Sequence, residues 1–261
     1  MKVLITNDDG IRADGLRSLY KALRERGHEV FVVAPMRQQS GVGHSLTFFH
    51  PLQASFVKDG DFEGTGVYGT PTDCIKLALG NLLPWTPDLV MSGINAGCNV
   101  GPDILYSGTV GAATEACHHE ISSMAVSNNE FEHVDVMAKA RHAVAMAEAI
   151  DWDNVPKRRV ININYPKGPL AEAKGVRVCP QTSAVWQNSY EERTDPRGGR
   201  YWWILGEVPQ DDVNAGTDMA LVKSGYITIT PLCFSFTDKT GLACLEKMAI
   251  PGTPAASNEK K

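Results

Sequence analysis

The sequence predicts an α/β protein with a mostly parallel sheet flanked by helices, followed by a β-rich C-terminal extension. Three observations predict it. Buried-strand runs alternate with amphipathic helical stretches through residue 166, an order that yields parallel strands joined by right-handed crossovers. An acidic pair, Asp8-Asp9, ends the first of those runs with Gly10 behind it, where open α/β sheets gather their ligands. After Pro166 the alternation stops, and short strand-like pieces mix with polar sequence.

Taken in order, residues 3–5 form a buried strand and Gly10 lets the backbone turn sharply. Leu16, Leu19, Tyr20 and Leu23, at i, i+3, i+4 and i+7, give the first helix its apolar face, and Gly27 stops it. Residues 30–34 make a second buried strand ended by Pro35. A polar, Gly-rich loop covers 37–45, and 46–57 are extended structure or a hairpin. Thr70, Pro71 and Asp73 fit the N-cap, N1 and N3 positions of a helix running through Ile75, Leu79 and Leu82. A strand at 88–92 precedes a Gly- and Asn-rich loop, 93–108. A small-residue helix (109–117), a strand (124–127), an amphipathic helix (134–150) and a strand (160–163) complete the pattern. Farther on, polar residues 187–200 followed by Trp202 and Trp203 describe an elongated arm that docks on a neighbouring subunit, or a solvent-exposed hairpin. Residues 226–230 are a strand. The division is a core at 1–166, an extension with the arm and returning strands at 167–250, and a tail at 251–261 with little to bury, expected to be disordered.

Bulk properties narrow the partners. A net charge of −5 over 261 residues argues against binding polymeric nucleic acid, which needs a basic surface. A local site can still be positive, so small anionic ligands stay open. No apolar run reaches membrane-spanning length. Asn7, Asp8 and Asp9 arrive too early for a signal peptide, and the six dispersed cysteines lack a CxxC, so the expected location is cytoplasmic with reduced thiols. Cys117-His118-His119 invites a zinc reading, but adjacent residues on a helix point in different directions.

Two adjacent carboxylates repel unless a cation or protons lie between them, and oxygen ligands suit Mg2+ or Mn2+. Asp8 and Asp9 can equally serve as helix caps, and the pair alone does not choose. Three other segments bear on the choice. Ser40, in Ser40-Gly41-Val42-Gly43-His44-Ser45, offers a hydroxyl to a hard cation or phosphate, although such loops are often merely flexible. Asn95 and Asn99 follow the 88–92 strand, at the same sheet edge as the acidic pair; an Asn carbonyl ligates without adding negative charge, and is also common in tight turns. Ser107, Gly108 and Thr109 open a helix, which makes either a phosphate cradle or a plain N-cap. Together they fit a phosphoester held across a metal. P-loop, dinucleotide-binding and nucleophile-elbow signatures are missing.

These residues carry a resemblance. Asn7-Asp8-Asp9-Gly10-Ile11, Ala34-Pro35 with Ser40-Gly41, Gly69-Thr70-Pro71-Thr72-Asp73-Cys74, Ser92-Gly93-Ile94-Asn95-Ala96-Gly97-Cys98-Asn99 and Tyr106-Ser107-Gly108-Thr109-Val110 occur in the order seen in the survival protein E (SurE) family of metal-dependent nucleotidases, which the sequence closely resembles. Asn162-Ile163-Asn164 and residues 225–232 fit as well. The resemblance implies a Rossmann-like core, a C-terminal extension used in subunit pairing, and homodimers or homotetramers. It implies hydrolysis of nucleoside 5′- or 3′-monophosphates by a metal-activated water, with one Mg2+ or Mn2+ per subunit held by Asp8, Asp9, Ser40 and Asn95. Phosphate would rest on Ser107, Gly108 and Thr109 with Asn95 and Asn99 beside it, Asp8 or Asp9 would orient the water or accept its proton, and short polyphosphate is implied as a second substrate. Met36 and Ala116 depart from the family's usual acidic residue and glycine. A haloacid-dehalogenase-type phosphatase needs alternating rather than adjacent aspartates. A receiver-like, non-enzymatic binding module needs an aspartate where this chain has Asn95.

Overall fold

Alternation along one strand explains how the core is divided. In β1 (Lys2–Thr6), Val3 and Ile5 point to one face and Leu4 to the other, and all three are fully buried. Val3 and Ile5 pack with Leu16, Leu19 and Leu23 of α1 (Asp14–Glu25) and with Ala140, Ala143 and Val144 of α4 (Val136–Ala149). Leu4 packs with Cys74 and Ile75 of α2 (Pro71–Leu77) and Ala112 and Ala116 of α3 (Gly108–His118). A sheet covered on both faces is the architecture the alternation predicts. This computed structural model describes residues 1–130, 135–248 and 251.

β1 pairs in parallel with β2 (Glu29–Pro35) and with β5 (Leu89–Ala96). With β3 (Ala54–Asp59), β4 (Phe62–Val67), β6 (Ser122–Asn128), β7 (Arg159–Tyr165), β8 (Val176–Val178) and β11 (Ile227–Cys233), the nine-stranded order is β3-β4-β2-β1-β5-β6-β7-β11-β8. The strands from β4 to β7 are parallel; β3 against β4 and β11 against β7 are antiparallel. β8 and β11, from beyond residue 166, therefore extend the main sheet, whereas β9 (Gln187–Thr194) and β10 (Arg200–Glu207) form a separate two-stranded sheet. Two short helices, α5 (Asp218–Lys223) and α6 (Lys239–Leu245), flank β11 in the chain. Among the described residues, no helix is long and apolar enough to cross a membrane.

Two expectations shift. Of the extended structure or hairpin expected at 46–57, residues 54–57 are extended in β3, but the hairpin itself spans 54–67, because Gly64 and Gly66 dilute the apolar pattern of β4 while aromatic Phe48 and Phe49 sit exposed before β3. The loop expected from residue 93 is partly strand: β5 continues to Ala96 through a shift of register against β6 between Ser92 and Asn95. Irregular pairing of that kind hides the period-2 signal. A 3-10 turn, Gly101–Leu105, occupies part of the remainder. Of the expected disordered tail, only Pro251 lies among the described residues.

Candidate active site

The parallel strands end together at one edge, and Asp8, Asp9, Asn95 and the start of α3 lie there, whereas Ser40 is exposed and does not line the cleft that Asp9 and Asn95 share. Asn7 shapes the turn after β1, its amide donating to Gly10 O (3.0 Å) while Gly10 N–H donates back to its Oδ1 (3.2 Å). This Asx-type turn sends Asp8 inward, 4% exposed, and leaves Asp9 half-buried. The Thr109 hydroxyl donates to Asp8 Oδ1, and the Ala96 amide at the end of β5 donates to Asp9 Oδ2 (2.9 Å). Burial pushes the Asp8 carboxyl up to about 6, the Thr109 hydroxyl pulls it down, and the Asp9 charge adds to the rise. A buried carboxylate beside another is a site short of positive charge.

Asp8 also meets α3 end-on. Ser107 is the N-cap, its Oγ accepting from Val110 N–H (3.1 Å), and Gly108 lies against the Asp8 side chain. The first amides of an eleven-residue helix thus stand beside the acidic pair, and such amides attract anions.

The loop after β2 is tied down along its length. Gln39 N–H donates to Asp8 O (2.7 Å) and Gly43 N–H to Tyr106 O (2.9 Å). His44 Nε2 lies 2.8 Å from Glu115 Oε2 on α3, and the Thr47 amide and hydroxyl both donate to Asp73 (3.0 and 2.6 Å). Asp73 completes the predicted capping box with Thr70 at the head of α2. Ser40, in the middle of this loop, accepts from Gln38 Nε2 (2.9 Å).

Asp9, Gln38 and Asn95 line one cleft of about 350 Å3 together with Arg12, Asn128 and Glu130. Asn95 Nδ2 donates to Gly97 O (2.7 Å). Asn99 is placed differently: 6% exposed, it donates through Nδ2 to Ser127 Oγ and through its backbone amide to Asn164 Oδ1, both at 2.7 Å. Its carbonyl accepts from Asn162 and Asn164. Its amide nitrogen therefore braces the strand ends, which explains Asn162 and Asn164 in β7 as well. Trp186 donates to Asp103 Oδ1 (2.7 Å), and Tyr106 is exposed.

Sequence reasoning missed the far wall of the cleft. Asn128 ends β6 and Glu130 lies just beyond it, and Lys139 from α4, 1% exposed, reaches Asn128 Oδ1 (2.8 Å) and Glu130 Oε2 (3.5 Å). Burial lowers the pKa of this ammonium. The signal was the run Asn128-Asn129-Glu130 at the end of a strand, the same place that made Asp8-Asp9 informative.

At the carboxyl edge of a parallel sheet, this α/β protein thus gathers two acidic side chains, a neutral amide and a helix N-terminus. Comparison places it further. The family model described as Survival protein SurE matches residues 3–188, and the chain belongs to that family. Among similar proteins, the 5′-nucleotidase SurE of Desulfovibrio desulfuricans is 65% identical over 97% of this chain and 100% of its own. That of Nitratidesulfovibrio vulgaris is 57% identical over 95% and 100%. The crystal structure of the SurE protein from Aquifex aeolicus superposes with a TM-score of 0.80 at 36% identity, covering 94% of this chain and 100% of that one.

Proposed function

We propose that the protein is a divalent-metal-dependent phosphatase that hydrolyses nucleoside 5′- or 3′-monophosphates to nucleoside and phosphate. The observation that carries this reading is the meeting of Asp8, Asp9 and the N-terminal turn of α3 at the carboxyl edge of the sheet. Relatives bearing the name 5′-nucleotidase support it. The donor set is all oxygen: two carboxylates, the Ser40 hydroxyl and the Asn95 amide carbonyl. Such donors fit one hard divalent ion per subunit, Mg2+ or Mn2+. When bound, that ion supplies Lewis-acid polarisation of the phosphoryl group and a water of lowered pKa.

The chain's own residues do the rest. Thr109 holds the Asp8 carboxylate, and the Ala96 amide holds that of Asp9. Asp9, the more exposed of the two, orients the attacking water. Ser107, Gly108 and Thr109 take the phosphate, whose charge the α3 dipole favours, while Asn95 lends a ligand without repelling it. The arm at 187–207 joins copies into a homodimer or homotetramer, short polyphosphate is a second substrate, and the location is cytoplasmic.

Phosphate release from a panel of nucleoside monophosphates, with Mg2+, Mn2+ or EDTA, tests the reading beside Asp8→Asn and Asp9→Asn. Metal-dependent release that either substitution lowers by at least about 100-fold is expected. Near wild-type rates in folded variants would refute it. Nucleotide affinity without turnover would favour a binding module instead.

A further inference from the structure

A second cluster lies on the same loop as Ser40, away from the acidic pair. Glu115 and His118, three residues apart, share one face of α3. Glu115 is six residues beyond Thr109, roughly 9 Å along the helix axis. His44 reaches them from the loop after β2. Among the described residues, these three are the His, Cys, Asp or Glu side chains whose ligand atoms gather within 4.8 Å of one another. The two imidazoles face each other at a ring separation of 5.7 Å and a tilt of 38°.

The chemistry of the three groups is specific. Lys76 Nζ (3.1 Å) and His119 Nε2 (3.4 Å) occupy Glu115 Oε1, which leaves Oε2 turned toward His44 (2.8 Å). The His44 hydrogen bond, with help from Lys76 and against burial, pulls the Glu115 carboxyl down to about 2, so it is ionised. Burial, then the neighbouring His44, lowers the pKa of His118 and favours the neutral imidazole that ligates metals. Tetrahedral Zn2+ with bonds of about 2.0–2.1 Å sets its ligand atoms roughly 3.4 Å apart, a spacing that small side-chain rotations here reach. Two histidines and a glutamate with one open position are a frequent donor set for Zn2+, and nitrogen donors disfavour Mg2+.

We propose that His44, Glu115 and His118 form a second metal site, for Zn2+ or another borderline-soft divalent ion, whose occupation adds a metal tie to the hydrogen-bonded contact between the Ser40 loop and α3. The cluster differs from the oxygen-lined site in donor type and position, and needs none of that site's residues.

The test titrates Zn2+ into the metal-stripped full-length protein against a chromophoric chelator, with Mg2+ in excess throughout. One Zn2+ per chain is expected, unaffected by Asp9→Asn and weakened at least about 100-fold by His118→Ala and by His44→Asn. Co2+ in its place should give an intense visible absorption band of low-coordinate cobalt, absent in both histidine variants. Zn2+ should also raise the melting temperature of wild type and not of those variants, whose metal-free melting reports their folding. Any of four results would overturn the proposal: no Zn2+ bound, binding unchanged in His118→Ala, binding lost in Asp9→Asn, or binding displaced by Mg2+.

Discussion

Asp8 can approach the head of α3 only because residue 108 has no side chain. A Cβ on Gly108 would stand 2.9 Å from Asp8 Cβ, 3.2 Å from Asp8 Oδ2 and 3.1 Å from Pro71 Cγ. Gly108→Ala must therefore push the carboxylate or the helix start aside by a fraction of an ångström to an ångström. Misplacement on that scale costs a reaction about 100-fold, so turnover should fall that far while the thermal melt hardly moves. Parallel kinetics and circular dichroism check it; unchanged turnover would mean that the position of Asp8 is not critical. Thr109→Val removes the hydroxyl that Asp8 accepts from. Leaving a buried charged group short of a donor costs about 1–3 kcal/mol, to be read from denaturant midpoints. Legibility at this scale followed sequence distance. Asp8 and Asp9 are adjacent, so their repulsion could be argued before any fold existed. His44 and Glu115 are 71 residues apart, and nothing local in either segment announces the other. Asn99 had a readable residue type, but only the fold reveals that Ser127 takes its amide nitrogen.

Between elements, close approach and burial matter more than propensity. α1 crosses β5 so tightly that a Cβ on Gly15 would lie 1.9 Å from Ile94 O, a backbone atom next to Asn95. Gly15→Ala should destabilise by about 1–3 kcal/mol as an overpacked contact and weaken metal-dependent turnover as well, since β5 carries Asn95. A denaturation midpoint together with a kinetic assay measures both effects. On the same face of the sheet, His142 of α4 sets Nδ1 3.0 Å from the buried Tyr165 hydroxyl of β7, its ring edge-on at 5.8 Å. Burial holds its pKa below the usual 6.5. The folded state therefore resists a proton that the unfolded chain accepts. This contribution is complete above about 6.5 and is lost as pH falls from there toward the lowered folded value. His142→Gln should flatten the acid side of the stability curve, and urea midpoints on either side of that pH would show it. The helices at 14–25 and 71–77 were legible because apolar spacing and a capping box are local signals. The bounds of the β3–β4 hairpin were not, since β4 is set by its pairing with β2 (Gly66 opposite Ala34) and by the close approach of Gly64 to Val32, which no local pattern announces.

The arm matters to the molecule as a whole. An isolated two-stranded hairpin is marginal in water, and this one leaves its aromatic side chains uncovered: Tyr190 63%, Trp202 52%, Trp203 58% and Ile204 68% exposed. The pairing register places Ile204 opposite Tyr190 and Trp202 opposite Glu192 on one face, with Trp203 opposite Glu191 and Leu205 opposite Ser189 on the other. Large apolar groups therefore stand on both faces. A hairpin lying flat on a surface would need them on one side only, so the pattern fits an arm inserted between surfaces of a second copy. Polar composition at 187–200 exposed the arm in the sequence; its two-faced character required the register. The two geometries predict different outcomes. If the arm inserts, Ile204→Glu and Trp203→Glu, on opposite faces, should each shift the assembly toward monomer in light scattering coupled to size exclusion. If it lies flat, only one of them will. A monomer under all conditions for the unsubstituted chain would remove the arm's role in assembly altogether. If the arm's apolar groups make the contact, raising the salt concentration should leave the assembly intact, whereas an interface built on the Glu191, Glu192 and Arg193 charges would loosen.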